Sequence, residues 1–178
     1  MSRKLLISIH LYLAAFFSPV ILVIAVSGGL YLLDIKGGTE KEVVYSQVDT
    51  QFDIKADNIE SQVQQFFQRN TIDYEFDYIK GGGNRYFTRP TSKPFYVFEQ
   101  QGDQLEVTRH TPDFVYHIIE LHKGHGPSLF RNYQKLVALG LVFILLTGFY
   151  LGISSPMLKQ KTWVISAVGL ITMIALAS

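Results

Sequence analysis

With no cysteine in the chain, iron–sulfur clusters, thiolate zinc sites and disulfides are excluded, and coordination chemistry falls to five histidines. Four of them, His110, His117, His122 and His125, lie within about 16 positions, and His10 stands alone near the amino end. One reading of the cluster is a zinc, copper or haem site. On a regular helix His117 and His122 diverge by about 140°. The run His117-Ile118-Ile119-Glu120-Leu121-His122 also lacks the zinc-protease spacing of two histidines four apart around a glutamate. His122 and His125, just past the helix end, can converge. The other reading is an interfacial helix whose histidines sit against the negative end of its dipole. His10, about two turns inside an apolar helix, is costly to leave unpaired. It reads either as a functional ligand or as a neutral imidazole bonded to a carbonyl or hydroxyl of another helix.

No other chemistry stands out. No serine occupies a Gly-x-Ser-x-Gly turn and no carboxylate pair has a distinguishing context, so hydrolase activity has no support. Gly81-Gly82-Gly83 joins two predicted strands without a following helix or a Gly-Lys-Ser/Thr ending. It reads as a hairpin, not a phosphate cradle.

The 48% hydrophobic content falls in three blocks, and about a hundred of the 178 residues are left for a water-soluble core. Net charge of +1 gives no reason to invoke nucleic acid. Leu5–Leu33 carries no charge. It is too long for a signal-peptide core and lacks a clear cleavage site before Gly28, so it reads as a retained helix kinked at Pro19. His10, Ala14, Ser18, Ile21, Ala25 and Gly28 form one stripe along it. Leu136–Ile153 is a second uncharged run, about 27 Å of helix against a hydrocarbon core of about 30 Å, with Tyr133 and Tyr150 at its interfaces. Its stripe is Ala138, Leu141, Leu145, Gly148 and Gly152, with Gly148 and Gly152 expected to pack against another helix. Ser154-Ser155-Pro156 breaks it, and Lys159 and Lys161 mark a basic loop. Thr162–Ser178 is a third apolar segment, short for a full span, with Trp163 at its interface.

Residues 37–128 divide the membrane segments 1–36, 129–155 and 162–178. Within them, Glu42–Val48 reads as a short strand. Ala56–Asn70 reads as an amphipathic helix with Ile59, Val63, Phe66 and Phe67 on one face and Asp57 as cap. Asp73–Ile79 alternates Tyr74, Phe76 and Tyr78 on one face and turns at Gly81–Asn84 into Arg85–Arg89. Phe95–Glu99 and Gln104–Arg109 form a hairpin around Gln101-Gly102-Asp103. The layout is α+β, one helix on a small antiparallel sheet inserted between membrane helices one and two. Thr111-Pro112-Asp113 then opens a helix to about Lys123, with Phe114, Ile118 and Leu121 as its apolar face, stopped by Gly124, Gly126 and Pro127.

Leu121-His122-Lys123-Gly124-His125-Gly126, followed by Arg131 and an apolar helix holding Leu146-Thr147-Gly148, resembles the second membrane segment of the PepSY-associated transmembrane family. Arg3-Lys4, His10 and Ser27-Gly28-Gly29-Leu30 resemble its first segment, so the likeness covers most of the chain. The family's Asp-Pro-x-Thr-Gly turn is absent, with Glu99-Gln100-Gln101-Gly102-Asp103 in its place. The resemblance implies a PepSY-like domain facing the periplasm from a bacterial inner membrane. It also implies a part in transmembrane electron transfer linked to iron uptake and siderophore reduction, with haem b on membrane-helix histidines. The matching positions are His10 and His122, with His125 beside the second.

Arg3, Lys4, Lys159 and Lys161 place their side in the cytoplasm by the positive-inside rule. Lys123, Arg131 and Lys135 crowd the other end of the second helix, but a large domain translocates largely regardless of its charge. His10 then lies roughly 20–30 Å across the bilayer from the other histidines, so a bis-histidine haem on it needs a ligand from a second copy or another membrane subunit. Three membrane segments are fewer than the larger members of the family have, which also points to dependence on a partner. The reading from another class is a non-catalytic, membrane-anchored module that grips or assembles a periplasmic or membrane protein. The sequence leaves open whether the chain is an enzyme.

Overall fold

A computed structural model describes residues 2–49 and 51–178. Three of its helices are long and apolar enough to cross a membrane: α1 (Arg3–Leu32), α4 (Ser128–Ile153) and α5 (Lys159–Ala177). At 1.5 Å per residue they are about 45, 39 and 28 Å long. Between α1 and α4 lie β1 (Thr39–Val48), α2 (Ile59–Arg69), β2 (Tyr78–Gly82), β3 (Arg85–Arg89), β4 (Phe95–Gln101), β5 (Gln104–Pro112) and α3 (Phe114–His122). The strands form one antiparallel sheet in the order β1-β5-β4-β3-β2.

Alternation along β4 gives the sheet two different faces. Tyr96 and Phe98 point towards α2, where Val63, Phe66 and Phe67 meet Phe52, Leu105 and Val107 in the core. Phe98 stacks on Phe52 at 5.5 Å and meets Phe66 edge-on at 5.3 Å. Phe95 and Val97 fall on the opposite face.

Several boundaries differ from those the sequence suggests. β1 begins at Thr39, three residues early, because Thr39–Glu42 pair with Arg109–Pro112. The predicted strand over 73–79 survives only from Tyr78, paired with Arg89. Pro90 follows Arg89 and has no N–H to extend the ladder. Tyr74 and Phe76 still pack on the core, and the Tyr74 hydroxyl donates to the Pro94 carbonyl at 3.0 Å. Asn58, not Asp57, flanks the start of α2, and it makes no side-chain cap.

At α3 the cap is Asp113, whose carboxylate accepts from the N–H groups of Tyr116 at 2.7 Å and Gly38 at 2.6 Å. Thr111 and Pro112 remain in β5. The buried residues of α3 are Ile118, Ile119 and Glu120, while Phe114 is exposed.

The chain forms two compact units, one of residues up to Ile21 with Lys135–Ser178 and one of Leu22–Gln134. The second extends into the membrane-length helices because their ends bond to the sheet domain. The N–H of Ser128 donates to Asp77 at 2.9 Å, and the Arg131 guanidinium lies 5.1 Å from the Tyr78 ring centre.

In the first unit the predicted stripes hold at His10, Gly148 and Gly152, which face neighbouring helices, and fail at other positions. On α4, Val137 and Thr147 are buried, and Gly140 faces Phe17 of α1, itself buried; Leu141 and Leu145 are exposed. On α1, Ser18 is exposed and its hydroxyl turns back to the Ala15 carbonyl. A side chain at Gly148 would meet the His10 ring, and one at Gly152 would meet Thr162 of α5. α5 buries none of its residues, and Trp163 touches Phe149 edge-on at 5.4 Å.

Candidate functional site

His10 and His122 are held by the same device. His10 Nδ1 lies 2.9 Å from the Thr147 hydroxyl, which is itself 2.8 Å from the Phe143 carbonyl one turn back. A carbonyl only accepts, so the hydroxyl gives its proton there and accepts from the Nδ1–H of His10. In the neutral ring Nε2 is then the bare nitrogen. His122 repeats this: its Nδ1 lies 3.0 Å from the Ser27 hydroxyl, which is 3.0 Å from the Ile24 carbonyl. Each hydroxyl is followed by a glycine that makes room for the ring. A Cβ at Gly148 would stand 3.2 Å from His10 Cε1, and one at Gly28 would stand 3.1 Å from His122 Cε1. Thr147-Gly148 and Ser27-Gly28 are therefore two copies of one imidazole clasp.

His125 belongs to a different group. Its Nδ1 donates to Glu120 Oε2 at 2.7 Å. Glu120 is only 4% exposed and also accepts from Lys123 Nζ at 2.6 Å, from the Thr91 hydroxyl, and from Arg89 Nη1 at 3.4 Å. Arg89 Nη1 donates to Thr91 at 2.6 Å as well, closing a ring of polar contacts. Burial works to raise the Glu120 carboxyl, but hydrogen bonds from Lys123, Thr91 and His125 outweigh it and hold the group below its ordinary range. Burial pushes the His125 imidazole below its usual value in spite of Glu120.

The remaining histidines are each engaged separately. His110 bonds the Thr39 hydroxyl at 2.9 Å and stacks on Phe95, and His117 donates from Nδ1 to the Ser92 carbonyl. The carboxy-terminal histidines thus share no common centre. Among the described residues no group of three His, Asp or Glu side chains is placed to hold a metal ion.

Glu120, Arg89, Thr91, Ser27 and Thr147 are the residues that sequence reasoning passed over. A lone acid between Ile119 and Leu121, with Lys123 three positions on, is the local signal for Glu120. Ser27 and Thr147 stood in the sequence only as members of the Ser27-Gly28-Gly29-Leu30 and Leu146-Thr147-Gly148 motifs, with nothing to link either to a histidine.

Fold and site together define a chain with three helices long and apolar enough to cross a membrane, a small antiparallel sheet domain, and two hydroxyl–glycine clasps on histidine. No family model matches the chain, and neither a curated protein nor a solved structure does.

Proposed function

We propose that this protein is a PepSY-type component of transmembrane electron transfer in a bacterial inner membrane, in which His10 and His122 would hold haem b. The observation that carries this reading is the hydroxyl bond at Nδ1 of each ring. A histidine that ligates iron commonly donates its other N–H to a neighbouring acceptor, which fixes its tautomer and orientation. Thr147 and Ser27 take that role, and Gly148 and Gly28 leave the ring edges room. Haem bound there would supply a one-electron change at iron. Ferric iron or an iron–siderophore complex is the acceptor that the resemblance implies.

The proposed topology puts the other four histidines on the opposite side of the bilayer, so a second ligand beside His10 would come from His10 of a second copy or from another membrane subunit. Expressed alone with haem supplied, the chain should show a Soret band and a reducible α-band in an assembly larger than one copy. His10→Ala should remove the share of haem that it holds. A colourless protein under those conditions sinks the reading, and a monomeric low-spin bis-histidine haem lost in His10→Ala sinks the shared ligand.

A second reading has its own observation. Apart from the contacts of Thr162 with Gly152 and Trp163 with Phe149, α5 buries none of its residues and leaves most of its apolar surface open to lipid or to another membrane protein. On that reading the chain is a non-catalytic anchor that assembles a partner, and the colourless outcome is the one it expects.

The proposed orientation has the sheet domain in the periplasm and the loop before α5 in the cytoplasm. Cysteines introduced at Gly82 and Lys159 should report it in intact cells treated with a membrane-impermeant thiol reagent. Gly82→Cys should label and Lys159→Cys should not; the reverse pattern inverts the assignment.

A further inference from the structure

The face of the sheet that α2 leaves uncovered carries an open cleft of about 490 Å³. Four cations line it, Lys41, Arg85, Arg89 and Lys123, against one acid, Glu120. Burial lowers both His110 and His125, so at neutral pH they add no charge and the lining carries +3, four minus one, with Glu99 at its margin pairing Arg85 at 3.4 Å. Glu120 is already saturated by the donors described above. Arg89 is 6% exposed, and its Nε–H has no acceptor among the described residues. The Nε atom is itself closed off from the cleft, so Arg89 contributes its fixed charge to the site and not a free donor. Phe87 and Phe95 add an apolar wall.

The place of the cleft in the chain narrows the anion. Lys41 follows the end of α1 by nine residues, and Lys123 precedes the start of α4 by five. A site with cations, an apolar wall and tethers this short to two membrane-length helices suits an amphiphile at the bilayer surface better than a fully soluble ion. We propose that the cleft binds the phosphate headgroup of an anionic phospholipid, with Lys41, Arg85 and Arg89 as its cationic contacts. The proposal does not depend on haem at His10 or His122.

Native mass spectrometry of the full chain in detergent, titrated with short-chain phosphatidylglycerol or phosphatidylcholine, tests it. Phosphatidylglycerol should bind saturably with one strong site, about tenfold tighter than phosphatidylcholine. Lys41→Gln and Arg85→Gln should each weaken that site about fivefold, the value of one charge near an anionic surface. Both positions are exposed and neither contacts the Glu120 carboxylate, so both variants should fold. Lys55→Gln, at a separate pocket beside Asp49 and Asp103, should leave it unchanged. Equal affinity for the two lipids, or equal weakening by Lys55→Gln, overturns the site. Binding of inorganic phosphate with the same dependence on Lys41, without binding of phosphatidylglycerol, overturns the lipid as its source.

Discussion

Glu120→Gln should destabilise the protein by about 3–5 kcal/mol, the usual cost of breaking a buried ion pair from one side. Arg89 is what makes the change severe. Its guanidinium stays buried and loses the one anion it pairs with among the described residues, whereas Lys123, with 46% of its side chain exposed, returns to water. Lys123→Ala should therefore cost no more than about 1 kcal/mol, as exposed pairs do. Chemical unfolding of the full chain in detergent, followed by circular dichroism, measures both. A Glu120→Gln variant within about 0.5 kcal/mol of the parent would show that the pair carries no net weight.

Acid should act in the same direction through two groups. The folded carboxyl of Glu120 lies below its ordinary value of 4.5, so its contribution is complete above that value and is lost as pH falls through the folded one. His125 in the folded chain lies below the ordinary imidazole value of 6.5. Between its folded value and 6.5 the unfolded chain binds the extra proton, so stability falls there as well with falling pH. Both slopes make stability rise from acid towards neutral. The lower-pH part of the slope should disappear in Glu120→Gln.

Local pattern was enough wherever the answer was local. The face of α2, the turn at Gly102 and the pairing of β4 with β5 follow from hydrophobic period and turn residues in a few adjacent positions. The strand predicted over 73–79 failed because its length is set by Pro90 on the neighbouring strand, not by its own alternation. Glu120 was illegible for a similar reason, since Arg89 and Thr91 lie 31 and 29 positions away. The two clasps could be spelled from the sequence but not paired, with 137 positions between His10 and Thr147 and 95 between Ser27 and His122. The helix stripes were right at His10, Gly148 and Gly152 but missed Val137, which is buried, and Phe17 and Gly140, which pack against each other. Which glycine is a contact depends on the partner that fills the space above it.

Gly140 and Phe17 show that dependence most directly and should be strongly coupled. A Cβ at Gly140 would overlap the Phe17 ring at Cε2, 2.8 Å from Cδ2 and 2.9 Å from Cζ, closer than side chains tolerate. Between apolar helices in lipid, close packing is a main source of association, so the clash has few compensations. Gly140→Leu should lower stability by about 1–3 kcal/mol through overpacking. Phe17→Ala should also destabilise, because it empties the space the ring fills against Gly140. Combined, the new leucine occupies the volume the ring vacates, and the double variant should lose about 0.5–3 kcal/mol less than the two single losses added together. A double-mutant cycle on thermal or SDS-induced unfolding in detergent reads that difference. Additivity within about 0.3 kcal/mol would mean that Phe17 and Gly140 do not share the space between α1 and α4.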